Sequence, residues 1–191
     1  SKRDWSSDVC SSDLFVMLDS DSEAFIGKWN SEVFKRDTKL NVEIGTGYGN
    51  FMHDYCQKNP DINFVGLDYR FKRSFYLAQK LATLKEKSFK YLRAKGERIA
   101  FIFAENEIDN LYYFFPDPWP KNRHHKKRLF QKPFLDAAHK VLKNDGVLWI
   151  KTDHDGYFEW MLDELKLEQE GANRFTVELK TFDLHGEYPK H

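Results

Sequence analysis

The sequence has few cysteines, no net charge and no long apolar run, and each of these absences excludes a class of protein. Its two cysteines, Cys10 and Cys56, form neither a disulfide framework nor a zinc-binding spacing, which favours a reducing cytoplasm. Lys and Arg total 30, as do Asp and Glu, so a globally basic nucleic-acid binder is excluded, although a local basic patch is not. No apolar run approaches the roughly 18–20 residues that a membrane span needs, so we predict no membrane partner.

The first fourteen residues, SKRDWSSDVCSSDL, differ from the rest of the chain because they have neither helical nor strand periodicity. They also lack the apolar segment of a signal peptide. We interpret residues 1–14 as a disordered or non-native leader. Residues 15–191 are predicted to form one domain, because this length suits a single sizeable core. Composition leaves open whether the protein is a monomer or a homodimer.

Short apolar runs alternate with amphipathic stretches along the remaining chain. Strands are predicted at 40–44, 62–68, 88–94, 108–115, 147–152 and, as one strand or two, 174–184. Helices are predicted at 50–60, 71–87, 96–104, 129–143 and 156–169, with a turn at 144–146. This alternation predicts an α/β fold with a mostly parallel central sheet and helices on both faces. In such folds ligands bind beyond the carboxyl ends of the strands.

A glycine-rich loop, EIGTGYGN, follows the first predicted strand and places Gly45, Gly47 and Gly49 where the backbone can approach a ligand. The spacing matches neither the dinucleotide fingerprint nor a Walker A loop. Glu43 lies where a carboxylate can face a cationic ligand such as S-adenosylmethionine. Asp68 ends the next strand, where it can accept hydrogen bonds from ribose hydroxyls. Together they predict a nucleoside-bearing cofactor. A tight strand-to-helix turn would also explain the glycines, and a helix N-cap would also explain Asp68.

The segment FFPDPWPKNRHHKKR, residues 114–128, holds one carboxylate between prolines. Proline restricts the backbone, so Asp117 would be held in place before a substrate arrives. If the substrate is guanine, one carboxylate can accept hydrogen bonds from both N1–H and N2–H₂ and leave N7 free. Methylation of N7 needs no general base, only positioning and a negative charge near the ring as it becomes cationic. We therefore predict that Asp117 is the catalytic residue. Trp119 either packs on the base or wedges the loop, and we favour the wedge.

The same segment continues with a basic run that would bind a phosphate backbone while the carboxylate reads the base. Its members are Lys121, Arg123, Lys126, Lys127 and Arg128, beside His124 and His125. The second interpretation is a solvated surface. The histidines lack the spacing of a zinc pair, so no metal site is predicted. Asp153, after the next strand, is placed to accept from the base or ribose; alternatively Asp153 or Asp155 caps the following helix.

These segments resemble the bacterial tRNA (guanine-N7)-methyltransferase family over residues 27–185. The matching segments are GKWN (27–30), VEIGTGYGNF (42–51), NPDINFVGLD (59–68), FFPDPWPKNRHHKKR (114–128), IKTDHDGYFEWML (150–162) and FDLH (182–185). The P-D-P-W-P-K-x-R-H pattern is highly specific to that family, whereas the glycine loop is shared by many methyltransferases.

The resemblance implies a Rossmann-like class I methyltransferase fold. It also implies S-adenosylmethionine as the methyl donor and N7 of a guanosine in the tRNA variable loop as the acceptor. By position, it implies that Glu43 and Asp68 bind cofactor, that Asp117 is the active-site acid, and that Lys121 and Asp153 contact substrate.

Two departures from the family pattern are visible. The family usually has an acid near the cofactor adenine, at the end of the third strand, where this sequence has Lys95; backbone groups or Glu97 would then hold the adenine. The family also has a T-x-[FY]-E motif after D-L-H, which the chain does not reach before His191, so we expect a domain truncated at the C-terminus. The alternatives are a catalytically impaired RNA-binding fragment or a methyltransferase acting on another RNA. A small-molecule acceptor is disfavoured, because it offers no row of phosphates.

Overall fold

One parallel sheet forms the centre of the part of the chain that the computed structural model describes, residues 16–85 and 87–188. Its strands are β1 (Val16–Leu18), β2 (Leu40–Ile44), β3 (Asn63–Leu67), β4 (Phe89–Arg93), β5 (Ile108–Phe114) and β6 (Leu142–Lys151). The spatial order is β1-β4-β3-β2-β5-β6, and every neighbouring pair is parallel. The predicted α/β fold is confirmed. The predicted leader, residues 1–14, lies outside the described residues.

Helices follow the strands and cover both faces of the sheet. They are α1 (Asp19–Ser22), α2 (Asn50–Lys58), α3 (Phe71–Ala82), α4 (Ile99–Ile102), α5 (Lys132–Val141), α6 (Asp155–Gly171) and α7 (Leu184–Glu187). A single-turn π-helix, Trp29–Phe34, and 3₁₀ segments at Glu23–Phe25, Gly96–Arg98 and Asn122–Lys127 complete the elements. Pro133 lies in the first turn of α5, where its missing N–H costs no helical hydrogen bond.

The core has two parts because both faces of the sheet are buried. Apolar side chains of α4, α5 and α6 pack on one face, and those of α2 and α3 pack on the other. All residues of β2 and β3 are buried, which explains why these strands appear in the sequence as nearly continuous apolar runs. Trp29, fully buried, donates from Nε1 to the Ile102 carbonyl at 3.0 Å and thereby fixes the segment before β2 to α4.

The turn predicted at 144–146 falls inside an irregularity of β6. Ile108 of β5 pairs with Leu142, but Asn110 pairs with Val147, so residues 143–146 bulge out opposite a single residue of β5. That residue, Asp109, accepts from Lys143 Nζ at 2.9 Å. The bulge is therefore held by an ion pair within the sheet and does not separate two elements.

The final strand predicted at 174–184 is wrong. Residues 174–183 belong to no strand among those described, and α7 begins at Leu184. Arg174 instead donates to both carboxylate oxygens of Glu168, at 2.6 and 2.7 Å, and to Asp136 at 2.6 Å. The ring of Phe182 lies 4.6 Å from that of Phe158. These contacts attach the segment to α5 and α6 and not to the edge of β6.

None of the helices within residues 16–85 and 87–188 combines the length and apolar composition that a membrane crossing requires.

Candidate active site

The carboxyl ends of β3, β2, β5 and β6 form one continuous edge of the sheet, because these strands are adjacent and parallel. Chain order reverses direction at β2, which lies between β3 and β5, and such switch points are where open α/β sheets bind ligands. The loops that leave this edge carry the predicted residues: the glycine loop at 45–49, Asp68, Asp117 and Asp153.

The glycine loop adopts a backbone that other residues rarely adopt. Gly45, Gly47 and Gly49 have φ values of 79°, 56° and 73°. Gly49 precedes α2, and a Cβ there would lie 1.9 Å from Leu77 Cδ1, so α3 packs directly against the loop. The loop is therefore packed against α3, with its backbone close to the edge of the sheet.

Asp68 connects the loops that follow β2 and β3. Its carboxylate is 6% exposed and accepts from the Gly47 amide at 2.9 Å and from the Arg70 amide at 2.8 Å. Its carbonyl accepts from the Tyr91 hydroxyl at 2.8 Å. The N-cap of α3 is Arg70, so Asp68 does not cap that helix in the usual position. A carboxylate has about four acceptor sites, so it can accept further hydrogen bonds from a ligand.

Glu43 is the most unusual residue of the edge because its carboxyl group is buried without a partner. It is 3% exposed, and its Oε2 atom has no hydrogen-bond partner among the described residues. Burial, and secondarily the charge of Asp68, raise its pKa to about 8. A buried carboxyl group is costly unless something pairs with it. The site therefore fits a ligand that brings a cation to Glu43, and an α-ammonium group meets this requirement.

The loop after β5 is held in a strained conformation. Phe115 and Trp119 have φ values of 50° and 44°, which are rare outside glycine. The Phe115 amide donates to the Lys151 carbonyl at 2.7 Å, which extends the pairing of β5 with β6 up to the loop. Asp117 lies between these two residues, with 61% of its side chain exposed, and accepts from Arg70 Nη2 at 3.1 Å. The two carboxylates Asp68 and Asp117 are thus linked through one arginine.

Trp119 contacts its own loop. Its ring lies 5.8 Å from the His124 ring at a right angle, and Lys127 Nζ lies 4.6 Å from the ring centroid. These contacts agree with a wedge between the loop and the 3₁₀ segment at Asn122–Lys127. The exposed cations of that segment and its start, Lys121, Arg123, Lys126 and Lys127, face solvent.

Arg128 requires a correction to the sequence prediction. Its side chain is 5% exposed and donates from Nε to the Pro118 carbonyl at 2.8 Å. Its guanidinium carbon lies 4.8 Å from the Tyr157 ring and 4.7 Å from the Trp160 ring. Burial lowers its pKa. Arg128 therefore fixes the proline loop onto α6, and its stacked, buried guanidinium does not face a polymer in solution.

Asp153 is exposed at the same edge, and it does not cap α6. The N-cap is His154, whose Nδ1 accepts from the Tyr157 amide at 3.1 Å. The alternative that Asp153 or Asp155 caps this helix is therefore wrong, because a histidine occupies that position.

Lys95 lies at the end of β4, beside an open depression of about 650 Å³. Its Nζ is 5.0 Å from the centroid of the Tyr69 ring, and Tyr69 itself is 57% exposed. Arg98, in the same depression, pairs with Glu23. An exposed aromatic face next to the Asp68 loop offers a surface for a planar ring, and the sequence prediction missed it. Among the described residues, no cluster of three or more His, Cys, Asp or Glu could hold a metal ion.

Comparison with known proteins assigns the chain to a family. Residues 37–180 match a family model described as "Putative methyltransferase". A tRNA (guanine-N(7)-)-methyltransferase of Streptococcus thermophilus is 35% identical over 172 residues, which cover 90% of this chain and 79% of that protein. An enzyme of Clostridium tetani with the same name is 40% identical over 162 residues, covering 83% and 72%.

A solved structure described as an antibiotic-related methyltransferase shares the fold, with a TM-score of 0.58 at 17% identity over 78% of this chain and 75% of that one. That structure shows the fold alone, whereas the two relatives at 35% and 40% identity show that the chain belongs to the tRNA (guanine-N7)-methyltransferase family.

Proposed function

We propose that this protein transfers a methyl group from S-adenosylmethionine to N7 of a guanosine in the variable loop of tRNA, in the cytoplasm, as a monomer or homodimer. The observation that carries the proposal is the position of Asp117 on a proline-bounded loop that Arg70 links to Asp68, at the same edge of the sheet as the buried Glu43. The family membership of the chain supports the same reaction.

Glu43, the glycine-loop amides and Asp68 would hold the cofactor. Glu43 would pair with the α-ammonium group, which relieves the cost of its buried carboxyl group. Asp68 would accept hydrogen bonds from the ribose hydroxyls while it keeps its hydrogen bond from the Gly47 amide. Tyr69 would lie against the adenine ring at the end of β4, where Lys95 replaces the usual acid. S-adenosylmethionine, when bound, supplies an electrophilic methyl group.

Asp117 would read the guanine and stabilise the product charge. Its two oxygens can accept from N1–H and N2–H₂ of the base, and this pairing leaves N7 on the opposite side of the ring. N7 carries a lone pair and no proton, so Asp117 removes no proton. It holds the base and offsets the positive charge that develops on the ring. The strained, proline-bounded loop keeps the carboxylate in place before the base arrives.

Lys121, Arg123, Lys126 and Lys127 would bind the phosphate backbone around the target nucleotide, because their side chains are exposed beside the Asp117 loop. Asp153 would accept from the base or ribose at the same edge of the sheet. Arg128 is not included among these contacts, because it is buried against Tyr157 and Trp160.

The contribution of the exposed lysines is measurable as a salt dependence. The double variant Lys126→Gln/Lys127→Gln should bind tRNA more weakly, and the slope of log K against log salt should become shallower by about 0.7–0.9 for each lost phosphate contact. The matched control is Lys58→Gln/Lys166→Gln, which removes the same charge from exposed positions of α2 and α6. An unaltered slope in the first variant would identify the basic run as a solvated surface.

The acceptor atom is tested with two tRNA transcripts, one with ordinary guanosine and one with 7-deazaguanosine throughout. The second transcript keeps the N1–H and N2–H₂ edge but has a carbon in place of N7. Labelled methyl groups should enter the first transcript and not the second, while both compete for binding. Labelling of the 7-deaza transcript would show that another atom accepts the methyl group.

A further inference from the structure

Arg70 connects the two halves of the site, although no sequence motif singled it out. Its backbone amide donates to Asp68 Oδ1 at 2.8 Å, on the cofactor side. Its Nη2 donates to Asp117 Oδ2 at 3.1 Å, on the substrate side. Arg70 is the residue before α3, so its Cα is fixed by the helix and by Asp68 while its long side chain reaches across the edge of the sheet.

In the free protein Asp117 pairs with the guanidinium group of Arg70, and this group resembles the guanine edge that Asp117 would bind in the proposed reaction. A guanidinium group presents N–H donors on a planar C–N framework, and these donors match a carboxylate. The N1–C2–N2 edge of guanine has the same framework and also donates two N–H bonds in one plane. Arg70 therefore donates to Asp117 Oδ2, one of the two oxygens that guanine would need, so the guanidinium and the base compete for that oxygen.

We propose that Arg70 holds the guanine-reading face of Asp117 in the free protein, and that it moves to a phosphate of the target nucleotide when the guanosine enters. This inference rests on the proposed function. The exchange keeps Asp117 paired at each stage, first with the guanidinium and then with the base. It also gives the displaced cation an anionic partner that the substrate itself supplies, and arginine suits phosphate because its fork can donate two bonds.

The exposure of the pair makes the exchange feasible. The side chains of Arg70 and Asp117 are 56% and 61% exposed, and exposed ion pairs hold their partners weakly. A guanine that makes two bonds to Asp117 can therefore compete with this exposed contact. Departure of the guanidinium leaves the backbone hydrogen bond to Asp68 in place, because that bond comes from the Arg70 amide. The cofactor side of the site then stays intact during the exchange.

The kinetic test compares Arg70→Gln with Lys58→Gln, a charge-matched control at an exposed position near the end of α2. With unmodified tRNA, Arg70→Gln should raise KM about three- to tenfold with a smaller change in kcat, and its tRNA salt slope should be shallower by about 0.7–0.9. Affinity for S-adenosylmethionine should stay within about twofold of wild type, because the Arg70 amide is retained. Lys58→Gln should match wild type in KM, in the tRNA salt slope and in affinity for S-adenosylmethionine. A wild-type KM and salt slope for Arg70→Gln would overturn the proposal.

The exchange itself is visible by NMR of the arginine Nε–Hε signals, with the Arg70 signal identified by its loss in Arg70→Gln. Asp117→Asn should shift this signal in the free protein. Saturating unmodified tRNA, added with S-adenosylhomocysteine to prevent turnover, should shift it to a position that Asp117→Asn no longer alters. If the signal keeps its free-protein position with tRNA bound, Arg70 stays on Asp117 and the inference fails. The proposed function is judged separately, by N7 methylation of tRNA with the wild-type protein.

Discussion

Asp117→Asn should lower kcat for tRNA methylation by about two orders of magnitude or more. Asparagine keeps the volume and one acceptor oxygen, but it places an N–H₂ group where the second oxygen stood. That donor would face a guanine N–H, so a hydrogen bond becomes a repulsive contact and the negative charge is lost. Charged hydrogen bonds contribute roughly 1.5–3 kcal/mol, and the transition state feels the loss more than the ground state because the ring is then becoming cationic.

The measurement is single-turnover methylation of unmodified tRNA, with cofactor and tRNA affinities determined in parallel. Both affinities should change little, because the cofactor is bound by Glu43, the glycine loop and Asp68, and the tRNA backbone by the exposed basic residues. The residual rate should show no new general-base titration near neutral pH, since N7 has no proton to remove. Asp155→Asn is the matched control, because Asp155 lies exposed in the first turn of α6 and does not cap it. Wild-type turnover by Asp117→Asn would make Asp117 a loop-shaping residue and refute the mechanism.

Glu43→Gln should remove most of the cofactor affinity. The carboxyl group is buried at the end of β2, and loss of one partner of a buried charge pair costs about 2–5 kcal/mol. In the wild type the pKa of Glu43 is about 8, so at neutral pH a proton must leave before the carboxylate can pair with a cation. Affinity for S-adenosylmethionine should therefore rise with pH from 6 to 8, and calorimetry should detect proton release. Glu43→Gln should lose this pH dependence.

The same substitution should change how the stability of the cofactor-free protein depends on pH. The folded pKa of Glu43 is raised from the ordinary 4.5 to about 8, so folding favours the protonated carboxyl group. That stabilisation is complete below pH 4.5 and is lost as pH rises through 8, by up to about 1.4 kcal/mol per unit. Urea unfolding of Glu43→Gln should therefore show a flatter decline between pH 5 and 8 than wild type, with Glu170→Gln on the surface of α6 as control. Equal slopes in all three proteins would place the Glu43 carboxyl group in a solvated or paired environment.

The sequence predicted most of the sheet and placed the candidate site residues at one of its edges, for a physical reason. Strands buried on both faces appear as short continuous apolar runs, so β2, β3 and β5 are visible without any tertiary information. Parallel strands share one carboxyl edge, so the glycine loop, Asp68 and Asp117 were expected at that edge before their contacts were known. Strand β1 was missed because three residues are too few to show periodicity.

The remaining features depend on contacts between distant parts of the chain. The alternation at 174–184 resembles a strand, but ion pairs of Arg174 with Glu168 and Asp136 attach this segment to helices. Arg128 belongs to a run of basic residues, yet the aromatic rings of Tyr157 and Trp160 bury it. The contact between Arg70 and Asp117 joins residues 47 positions apart, which no local pattern reveals.

Nucleoside mass spectrometry tests the central claim most directly. Tri-deuterated methyl donor and tRNA lacking the modification are incubated with the protein, and the digested nucleosides are separated by chromatography. Because Asp117 would occupy the N1–H and N2–H₂ edge of the guanine, the label should appear in 7-methylguanosine and be absent from 1-methylguanosine and N2-methylguanosine. The Asp117→Asn protein should form the same product at about a hundredth of the rate or less. Label in 1-methylguanosine or N2-methylguanosine would contradict the account, because the edge assigned to Asp117 would then be the edge that reacts.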